Sequence, residues 1–193
     1  MLDLLKARRA TGTLHVCALF DSAEEAAAVA PALACAALQD SEKFVALAGT
    51  ASLERLRGHL QEMAISATES ESVGRLTLVP WGRVAGDPRR RFDCGKALSA
   101  VDSILSGATQ DGVAGVRVVA EMDWVVSALG GGMEVAGYER DVDGVMARYR
   151  QPAICVYDLN GLSGQLLIEI LAAHPMAYVG GSLVRSPFYR AQA

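Results

Sequence analysis

Short apolar runs alternate along this chain with longer segments whose apolar residues recur at helical spacing. The runs have the length and aliphatic character of buried strands, which are expected at 14–20, 43–48, 75–81, 116–120, 153–158 and 177–184. Helices are expected at 52–63, 93–106, 124–129, 133–149 and 162–173, besides an alanine-rich helix that follows the first strand. The alternation predicts an α/β fold of three layers, a mainly parallel sheet with helices on both faces.

Two local signals describe the first helix in more detail. Ser22 precedes Glu25 by three residues, the spacing of a capping box at a helix start. Pro31 lies within the same segment, where its missing N–H and its ring are expected to kink the helix or split it in two. The chain shows no repeat and no long linker, so the sequence predicts one domain at 14–190 after an N-terminal extension at 1–13.

Composition and charge narrow the function classes. The chain is 51% hydrophobic and 21% charged, which indicates a folded globule. The chain has 18 basic and 22 acidic side chains, so its charge does not favour direct binding of nucleic acid. The arginine run at 89–91 is too short to change this. There is no apolar stretch of about 20 residues and no signal-peptide pattern, so we expect no membrane partner and a cytoplasmic location.

Four cysteines are scattered along the chain. Cys17, Cys35, Cys94 and Cys155 show no C-x-x-C spacing, which argues against a zinc ribbon or a thioredoxin-type motif. Reduced thiols are the default for such a chain. Cys17 and Cys155 fall inside predicted strands, where free cysteine usually behaves as a small buried hydrophobic residue.

The run at 112–124 ends abruptly in two acids and an indole, at Glu121, Asp123 and Trp124. In open α/β sheets the ligand crevice lies beyond the carboxyl ends of the strands, so these side chains are candidates for a site. The alternative is that Trp124 belongs to the core and the acids to a solvated turn. The candidates from separate strand ends that share this predicted edge are Asp21, Thr50, Trp81, Glu121, Trp124 and Asp158.

The strand at 153–158 ends in Asp158 and has the shape of a Walker-B element, which would hold magnesium in a P-loop NTPase. Its partner would be a glycine-rich loop with a lysine and a hydroxyl after the first strand. That position instead holds residues 21–25, which are acidic and lack glycine. Ordinary ATP hydrolysis is therefore not expected, and the glycines at 130–132 do not replace the loop because no lysine follows them.

His15 and His174 are possible metal ligands together with Cys17 or Cys155, because imidazole and thiolate suit zinc, copper or iron. Their separation along the chain carries no specificity, so structural roles, no metal and no cofactor are expected. A Cys–His nucleophile pair is possible by residue type alone. Nothing in the sequence marks an activated thiolate in such a pair.

Several short motifs, taken in order, resemble a known family. They are His15-Val16-Cys17, Phe92-Asp93, the run at 112–124, Tyr138-Glu139, Cys155-Val156-Tyr157-Asp158, His174-Pro175 and Pro187-Phe188-Tyr189. The set looks like the MEDS domain, the methanogen/methylotroph sensory domain of a dichloromethane-responsive regulator. The resemblance implies a RecA/KaiC-like fold without a P-loop and a non-enzymatic sensory role in transcriptional or signal-transduction control.

On this resemblance we expect a small organic ligand at the carboxyl edge of the sheet. The expected ligand-binding residues are Trp81, Glu121, Trp124, Tyr157, Asp158 and His174. Two alternatives remain open. One is a degenerate RecA-like nucleotide-binding protein with weak or no ATPase activity, which would use Glu121 and Asp158 around magnesium. The other is a pure protein-interaction module.

The chain departs from the family pattern at two points. Members commonly carry an output domain, and these 193 residues leave no room for one. Output is therefore expected through oligomerisation or through a separate regulatory partner of DNA-binding, kinase or anti-sigma type. Residues 39–42 lack the glycine-rich turn that usually precedes the second strand, which makes the start of that strand less certain.

Overall fold

The computed structural model describes residues 15–86, 92–110, 113–130 and 133–191. Its strands are β1 His15–Phe20, β2 Lys43–Ala48, β3 Leu76–Pro80, β4 Val116–Glu121, β5 Ala153–Asp158, β6 Met176–Val179 and β7 Ser182–Arg185. Its helices are α1 Ala23–Gln39, α2 Thr50–Glu62, α3 Ala67–Ser72, α4 Trp81–Val84, α5 Cys94–Gln110, α6 Asp123–Ala128, α7 Met133–Tyr149 and α8 Gly164–Ala173. The expected extension at 1–13, the arginine run and the second and third glycines of 130–132 lie outside the described residues.

The strands form one sheet in the order β3-β2-β4-β5-β1-β6-β7. Every pairing is parallel except the last, in which β7 runs against β6. The two central strands, β4 and β5, are buried along nearly their whole length, as expected for strands covered on both faces. The carboxyl ends of all six parallel strands therefore lie at one edge of the sheet.

Helices cover both faces of the sheet and divide the core in two. One core packs α1 and α2 against side chains such as Val119 and Val156. The other core packs α5, α7 and α8 against the alternate residues of the same strands, among them Val118 and Cys155. The three-layer, mainly parallel α/β fold predicted from the sequence is confirmed.

The first helix confirms one local prediction and corrects another. Ser22 is its N-cap, and the Ser22 hydroxyl accepts a hydrogen bond from the Glu25 amide. The helix is not split at Pro31, since α1 continues from Ala23 to Gln39 with the proline inside it. Pro31 is buried, and its neighbours Val29 and Leu33 belong to the core on this face of the sheet, so packing holds the helix together despite the missing hydrogen bond.

Three further boundaries differ from the sequence prediction. The expected single strand at 177–184 is a hairpin, because Gly180 and Gly181 adopt positive φ values of 55° and 80° and turn the chain back. Trp81, expected at the end of a strand, begins the short helix α4. The short helix α3 was not expected; Ser66 caps it by accepting from the Glu69 amide.

A buried ion pair lies near the amino end of β4. Arg117 is 6% exposed and donates through Nε to Glu42, whose side chain is 1% exposed. Its Nη2 atom also donates to the more exposed Asp40 at 2.7 Å. These acids lie in the segment at 39–42 where the chain departs from the family pattern, and β2 nevertheless begins at Lys43 as predicted.

Candidate functional site

A cleft opens between α1 and α2 at the carboxyl end of β4. Its wall on the α1 side is made of small residues, Ala26, Ala27, Ala30 and Pro31, and its floor includes Val119 and Val156. The polar residues that line it are Ser52, Arg55, His59, Glu121 and Asp123. The space open to the centre of a water molecule is about 70 Å³, against the roughly 10–15 Å³ that one water needs. Molecules of a few non-hydrogen atoms therefore fit.

Glu121 is held in place within this cleft. Its Oε1 atom accepts a hydrogen bond from the Ser52 hydroxyl at 2.9 Å, and its Oε2 atom lies 3.4 Å from the Gly49 amide, which donates to it. Arg55 in turn donates to the Ser52 hydroxyl at 2.8 Å. Contacts from the start of α2 thus fix the carboxylate at the end of the central strand, where α/β folds usually bind ligands.

Pro31 changes the helix that forms one wall of the cleft. In an α-helix the N–H of residue 31 would donate to the carbonyl of residue 27. Because proline has no backbone N–H, the Ala27 carbonyl lacks this donor. Ala27 and Pro31 both line the cleft. The site therefore combines alanine walls with the Glu121 carboxylate and suits a small ligand that carries a donor group.

Two more acids stand beside Glu121. The Asp123 carboxylate accepts from the Asp158 amide at 3.0 Å, and Asp158 caps the next turn by accepting from the Asn160 amide. Burial is the main cause that raises the pKa of Asp123; the Glu121 and Asp158 carboxylates raise it further and the Asp158 amide opposes them. The edge is consequently acidic, which disfavours phosphate groups.

Asp123→Asn is expected to raise the free energy of unfolding at pH 7 by no more than about 0.5 kcal/mol, the size of exposed like-charge repulsion. A carboxyl group with a raised folded pKa binds its proton more tightly when folded, so wild-type stability declines as pH rises above about 4. Asparagine avoids this decline and still accepts from the Asp158 amide. Thermal unfolding between pH 4 and 7 should show a difference that grows with pH, and a variant less stable at pH 7 would refute the explanation.

Trp81 and Trp124 lie on the opposite face of the sheet from the cleft. Their rings stack at a centroid distance of 6.3 Å, and Phe92 packs edge-on against both. Trp81 is 2% exposed, whereas Trp124 is partly buried. Trp81 still contacts the candidate site indirectly, because its indole N–H donates to the main-chain carbonyl of Glu121 at 2.8 Å.

Tyr157 and His174 belong to a buried network centred on Glu139. The Tyr157 hydroxyl donates to Glu139 Oε1, and His174 Nε2 lies 3.5 Å from Glu139 Oε2. His15 and Cys155 complete the network, and all five side chains are at most 2% exposed. The structure therefore separates these two predicted site residues from Glu121, Asp123 and Asp158 at the edge.

Electrostatics in this network keep Glu139 ionised. Burial alone would raise the pKa of Glu139, but His174, His15 and the Tyr157 hydroxyl bring it down to about 2. Burial lowers the pKa of His174 to about 4. Burial would also lower the pKa of His15, but Asp143 and Glu139 raise it. Burial raises the pKa of the Cys155 thiol, as does the nearby Glu139 carboxylate.

Sequence reasoning named His15, Cys155 and His174 as possible metal ligands but did not include Glu139 among them. The available signal was the Tyr138-Glu139 motif, an acid that α7 places on its buried face. Among the described residues, His15, Glu139, Cys155 and His174 form the group able to hold a metal ion, with ligand atoms within 4.8 Å of one another. The remaining edge candidates, Asp21 and Thr50, are exposed, and the Asp21 carbonyl accepts from the Asn160 side chain.

Comparison with protein families gives a match over residues 14–175 to MEDS, described as the methanogen/methylotroph, DcmR sensory domain. No curated protein matches the chain. The described residues contain no helix with the length and apolar character of a membrane span.

Two similar solved structures show the same fold. The flagellar accessory protein FlaH from Methanocaldococcus jannaschii has a TM-score of 0.62 and 14% identity, and the match covers 98% of this chain and 88% of that one. A KaiC-like protein from the hyperthermophilic archaeon Pyrococcus horikoshii OT3 has a TM-score of 0.64 and 10% identity, with 86% and 70% covered. The RecA/KaiC-like fold expected from the resemblance is confirmed.

Proposed function

Because the chain belongs to the MEDS family of sensory domains, we propose that it is a cytoplasmic, non-enzymatic sensor that binds a small organic molecule in the cleft beside Glu121. Binding is passed to a separate regulatory protein or to a change in self-association. The observation that carries the proposal is the cleft itself, with its alanine wall and a carboxylate fixed at the end of the central strand.

The chemistry of the cleft favours a neutral or cationic ligand of a few atoms. The Glu121 carboxylate accepts hydrogen bonds, and the alanine and valine side chains offer apolar contact. Short alcohols, amines and halogenated hydrocarbons match this combination of small size and limited polarity. In this proposal Asp158 and Asp123 set the charge at the mouth, while Trp81 supports Glu121 from the other face of the sheet.

Glu121→Gln is expected to weaken ligand binding about 10- to 100-fold, because a hydrogen bond to a charged group contributes about 1.5–3 kcal/mol. The measurement is thermal unfolding of the full chain against methanol, methylamine, dichloromethane and related compounds. A compound present at 100 times its Kd should add about 2.7 kcal/mol of stability to the wild type.

Glu54→Gln is the matched control, since Glu54 is an exposed acid on the same helix α2 that holds Ser52. It should bind ligand like the wild type. Failure of every compound to stabilise the wild type, or equal binding by Glu121→Gln, would overturn the proposed site.

A nucleotide-binding role is the second candidate, favoured by the RecA/KaiC-like fold and by acids at the ends of β4 and β5. It predicts stabilisation by Mg-ATP that Asp158→Asn abolishes. The acidic residues at 21–25, where a phosphate loop would lie, argue against it. A protein-interaction module, in contrast, would tolerate substitutions at Glu121 and Asp158 without loss of regulatory output.

A further inference from the structure

The buried network around Glu139 contains a contact that hydrogen bonding within the protein does not explain. His174 Nδ1 lies 2.8 Å from the Ile170 carbonyl oxygen, and because a carbonyl only accepts, the proton is on Nδ1. The Nε2 atom of the same ring has no hydrogen-bond partner and lies 3.5 Å from Glu139 Oε2. An unpartnered imidazole nitrogen thus faces a carboxylate in a site sealed from water, where a cation bound to both groups would satisfy them.

Four of the six distances among the possible ligand atoms match a tetrahedral metal centre, and all six lie within 4.8 Å. Bonds of about 2.0–2.3 Å from a metal to nitrogen, oxygen and sulfur place tetrahedral ligand atoms about 3.3–3.7 Å apart. Glu139 Oε2 lies 3.3 Å from His15 Nε2, 3.5 Å from His174 Nε2 and 3.5 Å from Cys155 Sγ. Cys155 Sγ lies 3.4 Å from His15 Nε2. We infer that His15, Glu139, Cys155 and His174 form a binding site for one first-row transition-metal ion.

The surrounding groups orient these ligands as outer-shell partners do in metal proteins. His15 Nδ1 lies 3.4 Å from Asp143 Oδ1, and Asp143 is itself held by the Tyr189 hydroxyl at 2.8 Å. Glu139 keeps its other oxygen occupied by the Tyr157 hydroxyl. A metal-bound histidine usually gives its other N–H to a carboxylate or a carbonyl, as both histidines can here.

The donor set selects the class of metal. Two imidazoles, a thiolate and a carboxylate suit zinc, cobalt(II) or iron(II), and exclude magnesium and calcium as preferred ions. With four protein ligands the centre is closed, so it braces the fold instead of activating a water molecule. The ligands come from β1, α7, β5 and the end of α8. The ion would therefore link these four elements on the face of the sheet that α5, α7 and α8 cover. The ion would bind Cys155 as its thiolate and each histidine through an unprotonated ring nitrogen.

The test uses the metal-free full-length chain titrated with Co²⁺ and Zn²⁺. We expect one Co²⁺ per chain, with visible bands of a four-coordinate ion and a thiolate-to-cobalt charge-transfer band that one equivalent of Zn²⁺ removes. Metal analysis of protein purified without chelators should find about one transition-metal ion per chain. No charge-transfer band in the wild type would overturn the inference without any variant having to fold.

Cys155→Ser should abolish the charge-transfer band and weaken Co²⁺ binding by more than about 100-fold, since outer-shell changes alone cost 10- to 100-fold. Cys17→Ser is the matched control, because Cys17 is an equally buried thiol paired in register with Cys155 but outside the ligand set. It should leave the band unchanged. Asp143→Asn should keep the band and lower affinity about 10- to 100-fold. A band that survives Cys155→Ser, or is lost with Cys17→Ser, would overturn the assignment. None of the four ligands lines the cleft beside Glu121.

Discussion

Replacing Arg117 by alanine is expected to lower the free energy of unfolding by about 3–5 kcal/mol, the usual cost of removing one partner from a buried ion pair. The variant removes the guanidinium that pairs with the Glu42 carboxylate, which is 1% exposed. It also removes the contact to Asp40 and a long buried side chain near the amino end of β4. Urea unfolding at pH 7 measures the loss.

Arg57→Ala is the control for this experiment. Arg57 makes a two-bond contact to Glu71 at 2.6 and 2.7 Å, but the two side chains are 34% and 30% exposed. Water screens such a pair, so its loss should cost no more than about 1 kcal/mol. Similar losses for the two arginines would show that burial of the Arg117 pair is not what determines its contribution.

Trp81→Ala is expected to lower the free energy of unfolding by about 3–5 kcal/mol, because it empties a fully packed aromatic position. The indole contacts Phe92 edge-on and stacks on Trp124, and its N–H holds the main chain of Glu121. Trp81→Phe separates these roles, since it keeps an aromatic ring and removes the N–H donor. Loss of the hydrogen bond should lower the free energy of unfolding by about 1 kcal/mol, and the smaller ring should lower it further.

Trp124→Phe provides the comparison for Trp81→Phe, because Trp124 belongs to the same aromatic group but is only partly buried. Both variants reduce ring size, and only Trp81→Phe removes the hydrogen bond to Glu121. If ligand binding in the cleft depends on that bond, Trp81→Phe should weaken it while Trp124→Phe should not. Equal effects on stability and binding from the two phenylalanine variants would contradict this role for Trp81.

Local signals predicted much of the fold. Apolar runs such as 116–120 determine a buried strand by composition alone, and Ser22 marked a helix start because one hydroxyl can satisfy the first free amides. The turn at Gly180 and Gly181 was missed, although two adjacent glycines between apolar residues are typical of a hairpin. The predicted break at Pro31 was wrong because tertiary packing of the helix outweighed the loss of one backbone hydrogen bond.

The candidate site depended on information that the sequence does not hold. Glu121 and Trp124 lie three positions apart, yet they face opposite sides of the sheet because a strand ends and a helix begins between them. His15 and Cys155 are 140 residues apart and become neighbours only through the β1–β5 pairing. Spacing along the chain therefore gave no signal for their contact. The family resemblance, by contrast, rested on motif order and is confirmed by the match over 14–175.

Side chains alternate between the two faces of β5, so this strand contributes residues both to the cleft and to the proposed metal site. Val156 forms part of the cleft floor, and its neighbours Cys155 and Tyr157 face the Glu139 network on the other side. A ligand that displaces Val156 therefore strains the bonds made by both neighbours. Thermodynamic linkage makes such an effect reciprocal, so metal occupancy would change ligand affinity by the same factor as ligand changes metal affinity. Through β5, the conformation of the domain would then depend on both ligand binding in the cleft and metal occupancy.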